Sequence, residues 1–254
     1  MNKSILAIDA GTTNVLAMIV DETGQVRGKA SNKFELNYPK QGLVEIDPEH
    51  LWQTTLDTIK AVLKATDTQP EELAGIGITG QRTTIVIWER ASSKSLGPAV
   101  VWQDQRGQDR AEELVQAGFF TINSLTAAAK MEQVLDNIPN SYERIKNNEL
   151  AWGNVDSFLT WRLSGGAIHA TDASNASATG YFDFLTDWKW FDGLLELQQL
   201  NNSFFPEVVD SVGIIGYADP EILGAKIPIG AIIGDQQSAT YAQACLDPGE
   251  AKVT

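Results

Sequence analysis

Near the start of the chain, Asp9-Ala10-Gly11-Thr12-Thr13-Asn14 sets a carboxylate, a glycine, two hydroxyls and an amide directly after the apolar run Ile5-Leu6-Ala7-Ile8. That order suits the end of a strand aimed at a metal-bound phosphate. A carboxylate can hold Mg²⁺ directly or through water, and a glycine lets the backbone approach closely. Backbone N–H groups and threonine hydroxyls then meet phosphate oxygens. The competing reading is an ordinary turn, with Asp and Gly present for turn geometry. No G-x-x-x-x-G-K-[ST] stretch occurs, so nucleotide chemistry here would proceed without a Walker loop.

Three more polar clusters follow apolar runs: Thr79-Gly80-Gln81-Arg82-Thr83-Thr84, Val101-Trp102-Gln103-Asp104-Gln105-Arg106 and Ile233-Gly234-Asp235-Gln236-Gln237-Ser238. In an α/β sheet, polar residues just past strand ends gather in one crevice. Asp235 is the second carboxylate in such a position, and it also suits a helix N-cap. Taken alone, Arg82 reads as a structural ion-pair partner, and most of the seven tryptophans read as packing residues. Gln103 to Arg106 reads as a solvated loop with no assigned role.

These clusters need strands and helices to position them, and the chain supplies both in alternation. Ile5 to Ile8, Val15 to Val20 and Gln25 to Leu36 read as strands joined by tight turns. Two such strands around a phosphate-sized turn form the nucleotide-gripping hairpin of actin-like ATPases, an analogy of arrangement. Asp47 and Pro48 predict a helix start, with Leu51, Trp52, Thr55, Ile59, Val62 and Leu63 at helical spacing. Leu73 to Ile78 reads as a buried strand, Gly107 to Gly118 and Leu125 to Asn137 as helices. Asp156 is expected to cap a helix running to Leu163. Ile214 to Tyr217 and Ala231 to Ile233 read as late strands before a helix from about Gln236 to Cys245, in which Cys245 is a buried small side chain. The more polar stretch from Asn123 to Asn148 reads as an insertion on the sheet. The expected fold class is α/β: a mixed sheet with early hairpins, flanked by helices.

The chain has 254 residues, enough for a substantial core. A net charge of −14 argues against nucleic acid and anionic membrane as partners. One cysteine excludes a disulfide framework, and the two histidines have no metal-ligand spacing. No apolar run approaches membrane length and no signal peptide is apparent, so a cytoplasmic location is expected.

Read in order, Ile8 to Thr13, Tyr38 to Pro48, Ile76 to Arg82, Val101-Trp102-Gln103, Thr171-Asp172-Ala173-Ser174-Asn175-Ala176-Ser177 and Gly234-Asp235-Gln236-Gln237 resemble the N-terminal domain of the FGGY carbohydrate kinases. The glycerol kinase branch is the most similar. Each segment is weakly specific; the ordered set over nearly the whole chain is highly specific. The resemblance implies a ribonuclease H-like (actin-like ATPase) domain over residues 1–254 and transfer of the ATP γ-phosphoryl group to a hydroxyl of a polyol or sugar, with ATP and Mg²⁺ as cofactors. It implies Asp235 as general base, since an ordinary aspartate is ionised at neutral pH and can take a hydroxyl proton. It implies Asp9 for Mg²⁺, with Gly11, Thr12, Thr13 and Asn14 at the phosphates. Arg82, Thr83, Trp102, Asp235 and Gln236 would meet the acceptor, Trp102 as an apolar wall. Asp172 and Asn175 read as structural.

Four departures qualify the likeness. Glycerol kinases carry a Glu right after the substrate Arg, where this chain has Thr83. Their substrate-contacting Tyr lies in a segment that here runs Asn123 to Lys130 without a Tyr. Leu16 replaces an Arg near the phosphates. The chain stops at Thr254, before the family's C-terminal adenosine-binding domain. The sequence therefore points to the N-terminal half of a polyol or sugar kinase that needs a C-terminal half, in the same or another chain, and that exposes an apolar face open to self-association. The alternative is a non-catalytic polyol-binding or protein-interaction module derived from such a kinase.

Overall fold

The computed structural model describes residues 3–253. Six strands form one mixed sheet: Ser4–Ala10 (β1), Asn14–Asp21 (β2), Val26–Lys33 (β3), Leu73–Gly80 (β4), Val212–Tyr217 (β5) and Pro228–Gly234 (β6). Their spatial order is β5-β6-β4-β1-β2-β3. The expected hairpins are the antiparallel pairs β1/β2 and β2/β3. β1, β4 and β6 run parallel.

Strand alternation puts Leu6, Ile8 and Ala10 on a buried face and Ile5, Ala7 and Asp9 on the other. Over the buried face lies Pro48–Thr66 (α1). Asp47 caps it by accepting the Glu49 N–H at 2.9 Å, and Pro48 sits in the first turn, as the sequence predicts. Its Leu51, Ile59 and Val62 join Leu6, Ile8, Val15 and Ile19 in the main core. Val155–Leu163 (α4) brings Phe158 and Leu159 to the same core. A second core holds Gln108–Gln116 (α2) and Ala127–Leu135 (α3), where Leu114, Met131 and Leu135 pack with Trp152, Tyr181 and Phe204. From the stretch Asn123 to Asn148, Ala127, Met131, Leu135, Ile138 and Ile145 pack in this second cluster.

The parallel strands end level. Ala10 pairs with Gly80, and Gly80 with Gly234. The strands approach so closely there that a Cβ on Gly80 would stand 2.7 Å from the Ala10 carbonyl oxygen. Three polar segments therefore leave one edge side by side: the Gly11–Asn14 turn, Gln81–Thr84, and Asp235 at the start of Asp235–Ala242 (α5).

Three local expectations are corrected. Asp156 is not a cap; Asn154 precedes α4, and Asp156 points into the core, where it accepts the Thr171 hydroxyl at 2.6 Å. Cys245 is partly exposed, because α5 ends at Ala242 and Ala244 turns left-handed at φ 54°. Gln103 to Arg106 is solvated only in part: Gln103 and Gln105 are exposed, the other two are not. Asp104 is fully buried, and Arg106 pairs with it at 2.8 Å and with Glu45 at 2.7 Å.

Candidate functional site

A cavity of about 940 Å³ opens at the strand ends, lined among others by Thr12, Arg82, Thr83, Trp102, Asp235 and Gln236. Four separate sequence clusters thus meet in one hollow. Asp9, on β1, and Gly11, Thr13 and Asn14, in the adjoining turn, are not in its lining.

That turn is internally braced. Gly11 N–H donates to the Asn14 carbonyl at 3.0 Å, and the Asn14 side-chain amide donates to Ser31 Oγ at 3.1 Å. Gln81 holds it from the neighbouring strand, donating from Nε2 to the Gly11 carbonyl at 3.2 Å and from its backbone to Ala10 at 3.0 Å. Among the described residues, the Thr12 and Thr13 amides donate to no backbone acceptor, which leaves them for an anion. Trp102 spans turn and cavity, its indole N–H donating to Thr12 Oγ1 at 3.1 Å.

Asp235 is the first residue of α5, and Gly234 occupies the cap position. Its Oδ1 accepts the Gln236 N–H at 2.7 Å and lies 3.8 Å from Arg82 Nε. The Arg82 stem crosses Gly234 so closely that a Cβ there would sit 2.6 Å from Arg82 Cδ. Glycine at 234 is therefore what allows this arrangement. Burial raises the Asp9 carboxyl above the usual carboxylate range, and the Asp235 charge adds to it. Two negative charges thus act on each other across the strand ends. Among the described residues no cluster of three or more His, Cys, Asp or Glu side chains forms a ready-made metal cage. A hard cation held by one or two carboxylates and by phosphate oxygens needs no such cage.

Thr83, 8% exposed, adopts φ 60°, a conformation that β-branched residues rarely enter. Leu125, from the segment that lacks the expected Tyr, faces the cavity, as do Phe184 and Trp188. Sequence reading missed these three, as well as Gln237, whose buried Oε1 has no partner, and Ser174 and Ser211, which also line the hollow. Ser174 and Gln237 lay within recognised motifs without being given a role. Lys130 was missed too: fully buried, it donates from Nζ to the Trp102 carbonyl at 2.8 Å and the Val101 carbonyl at 3.3 Å. Burial pulls Lys130 down to about 8 against the opposing pull of Asp104.

Comparison with known proteins shows the family and the fold. Residues 4–242 match the family model described as the FGGY family of carbohydrate kinases, N-terminal domain. A glycerol kinase of Aromatoleum aromaticum is 41% identical over 259 residues, covering 98% of this chain and 52% of the relative. One from Brevibacillus brevis is 38% identical over 100% of this chain and 52% of its own length. The chain spans about half the length of the curated relatives it matches. Among solved structures, Plasmodium falciparum glycerol kinase with ADP superposes at a TM-score of 0.90 and 27% identity, over 98% of this chain and 52% of that one. A xylulose kinase from Rhodospirillum rubrum, at 19% identity and a TM-score of 0.85 over 97% of this chain and 52% of its own, shares the fold.

Proposed function

The chain belongs to the FGGY family of carbohydrate kinases, and from that premise we propose that it is the acceptor-binding half of an ATP-dependent kinase for a polyol or sugar. The observation that carries the reading is the meeting of Asp235, Arg82, Trp102 and Thr12 in one cavity beside Asp9.

Each residue then has a task. Asp235 takes the proton of the attacking hydroxyl, because its carboxylate faces the cavity and Arg82 stands 3.8 Å away, beyond hydrogen-bond range. Arg82, Gln236 and Thr83 orient the acceptor hydroxyls, and Trp102 walls its carbon face. The Gly11–Asn14 turn offers the Thr12 and Thr13 amides and hydroxyls to phosphate oxygens. Mg²⁺ fits at Asp9, a half-buried carboxylate beside a like charge, and when bound it would neutralise charge on the phosphates. Positioning and charge compensation make up most of such catalysis. Thr83 and Leu125 stand where hydroxyl-binding side chains are expected, which favours an acceptor other than glycerol.

Val212 and Ile214 on β5, with Tyr241 and Leu246 at and beyond α5, are exposed and support contact with a second kinase half. No helix among the described residues is long and apolar enough to cross a membrane. We propose the cytoplasm as the site of the reaction.

The test supplies a C-terminal half from a relative and assays ATP-dependent phosphorylation over a panel of polyols and sugars. Turnover that Asp235→Ala abolishes is expected. Absence of turnover on every acceptor, or turnover indifferent to that substitution, would overturn the reading. Polyol binding by calorimetry without any nucleotide effect would support the non-catalytic binding module.

A further inference from the structure

Asp172 is fully buried, and none of the ion pairs among the described residues involves it. A buried carboxylate without a cation persists only when hydrogen bonds compensate it. Its Oδ1 accepts the backbone and side-chain N–H groups of Asn175, both at 2.9 Å, as an N-cap does for the one-turn helix Ala173–Ala176. Capping uses that oxygen alone. Oδ2 is turned elsewhere, to the hydroxyls of Ser174 at 2.7 Å and Ser211 at 2.6 Å.

The Ser174 bond has a directional consequence. A serine hydroxyl carries one hydrogen and two lone pairs. Asp172 can only accept from it, so the hydrogen is committed and a lone pair is presented on the other side. There Ser174 Oγ accepts the Gly234 N–H at 2.8 Å. The Ser174 carbonyl accepts from Arg82 Nη1 at 3.3 Å. One serine therefore ties down the residue preceding Asp235 through its side chain and Arg82 through its backbone.

We propose that Asp172 and Ser174 are positioning residues: Asp172 orients Ser174, and Ser174 fixes the strand end that aims Asp235 and the guanidinium that faces it. The proposal rests on the kinase reading for its catalytic consequence and on geometry alone for the contact itself.

Two measurements test it. In the first, the chain with its supplied C-terminal half is assayed as wild type, Ser174→Ala, Ser174→Thr and Asp172→Asn, with Asp235→Ala in parallel. Ser174→Ala is expected to lower kcat about 10- to 50-fold while acceptor KM stays within about threefold, because the carbonyl holding Arg82 is kept. Ser174→Thr, which keeps the hydroxyl, restores kcat to within about threefold. Asp172→Asn turns a donor toward Ser174 and frees its hydroxyl hydrogen, so it should lower kcat by less than Ser174→Ala, the second lone pair still reaching the Gly234 N–H. In the second, hydrogen exchange of the Gly234 amide is followed in the chain alone, where Ser174→Ala should speed it at least about tenfold without a matching change across β1 and β4.

A kcat within twofold of wild type in Ser174→Ala, where Asp235→Ala is inactive, would overturn the proposal. So would equal losses in Ser174→Ala and Ser174→Thr, or Gly234 exchange that does not change. If no acceptor is turned over, or Asp235→Ala is fully active, the kinase reading fails instead, and the exchange measurement still decides whether Ser174 holds Gly234.

Discussion

Arg82 Nε stands 3.8 Å from Asp235 Oδ1, close enough for charge to be felt and too far for a hydrogen bond. The Asp235 side chain is 44% exposed toward the cavity, so a proton can be taken without first breaking a tight pair.

Asp235→Asn should therefore lower turnover about 10²- to 10⁴-fold with little change in acceptor KM. Arg82→Lys should act mainly on KM, because it loses the planar fork that grips two oxygens. Both melting temperatures should stay within about 3 °C of wild type, since an ion pair at 3.8 Å with one partner 44% exposed contributes about 0–1 kcal/mol. Steady-state kinetics with a supplied C-terminal half, beside thermal melts, check all three.

Thr83 pairs a β-branched side chain with φ 60° at the cavity wall. Asparagine tolerates that region better, so Thr83→Asn should stabilise the chain by about 1 kcal/mol, or roughly 2–4 °C. Thr83→Glu adds a carboxylate acceptor beside Arg82 and should raise kcat/KM for glycerol at least about tenfold relative to other polyols. A melt and an acceptor panel read out the two effects.

Lys130 satisfies the carbonyls of Val101 and Trp102 from inside the protein. Lys130→Met would keep the volume and strand the Trp102 oxygen, while the Val101 oxygen keeps the Asp104 N–H at 3.0 Å, at a cost of about 1–3 kcal/mol. The melting temperature should fall by several degrees, and acceptor KM should rise because the Trp102 wall loosens. An unchanged KM alongside the lower melting temperature would make Lys130 a stability residue only.

Asp156 is fully buried; burial and the charge of Asp172 push it up to about 7 from the ordinary aspartate value of 3.8. The unfolded chain releases this proton first, so the stabilising contribution is complete below about pH 4 and is lost as pH rises to about 7. Asp156→Asn removes that dependence while keeping an oxygen for the Thr171 hydroxyl. It should melt near wild type at pH 4 and several degrees above it at pH 8. Denaturation across that range by circular dichroism checks the sign.

Much of this was legible in the chain. Strand ends followed by Asp9-Ala10-Gly11, Gly80-Gln81-Arg82 and Gly234-Asp235 are local patterns, because a two-residue period and a turn glycine depend only on near neighbours. The α1 cap at Asp47 is local for the same reason. Asp156 and Asp104 misled because a carboxylate in sequence reads as a cap or as solvated, and only the fold shows that each accepts a buried donor.

The sequence by itself determined the fold class, the family and the set of polar strand ends. Tertiary structure decided which of them meet. The Trp102–Thr12 bond joins residues 90 apart, the Arg82–Ser174 bond joins residues 92 apart, and the Ser174–Gly234 bond joins residues 60 apart. The register of β1, β4 and β6 brings Thr12, Arg82 and Gly234 level, and Trp102 and Ser174 reach them from segments outside that sheet. Register is a property of packed neighbours, and no stretch of sequence carries it alone.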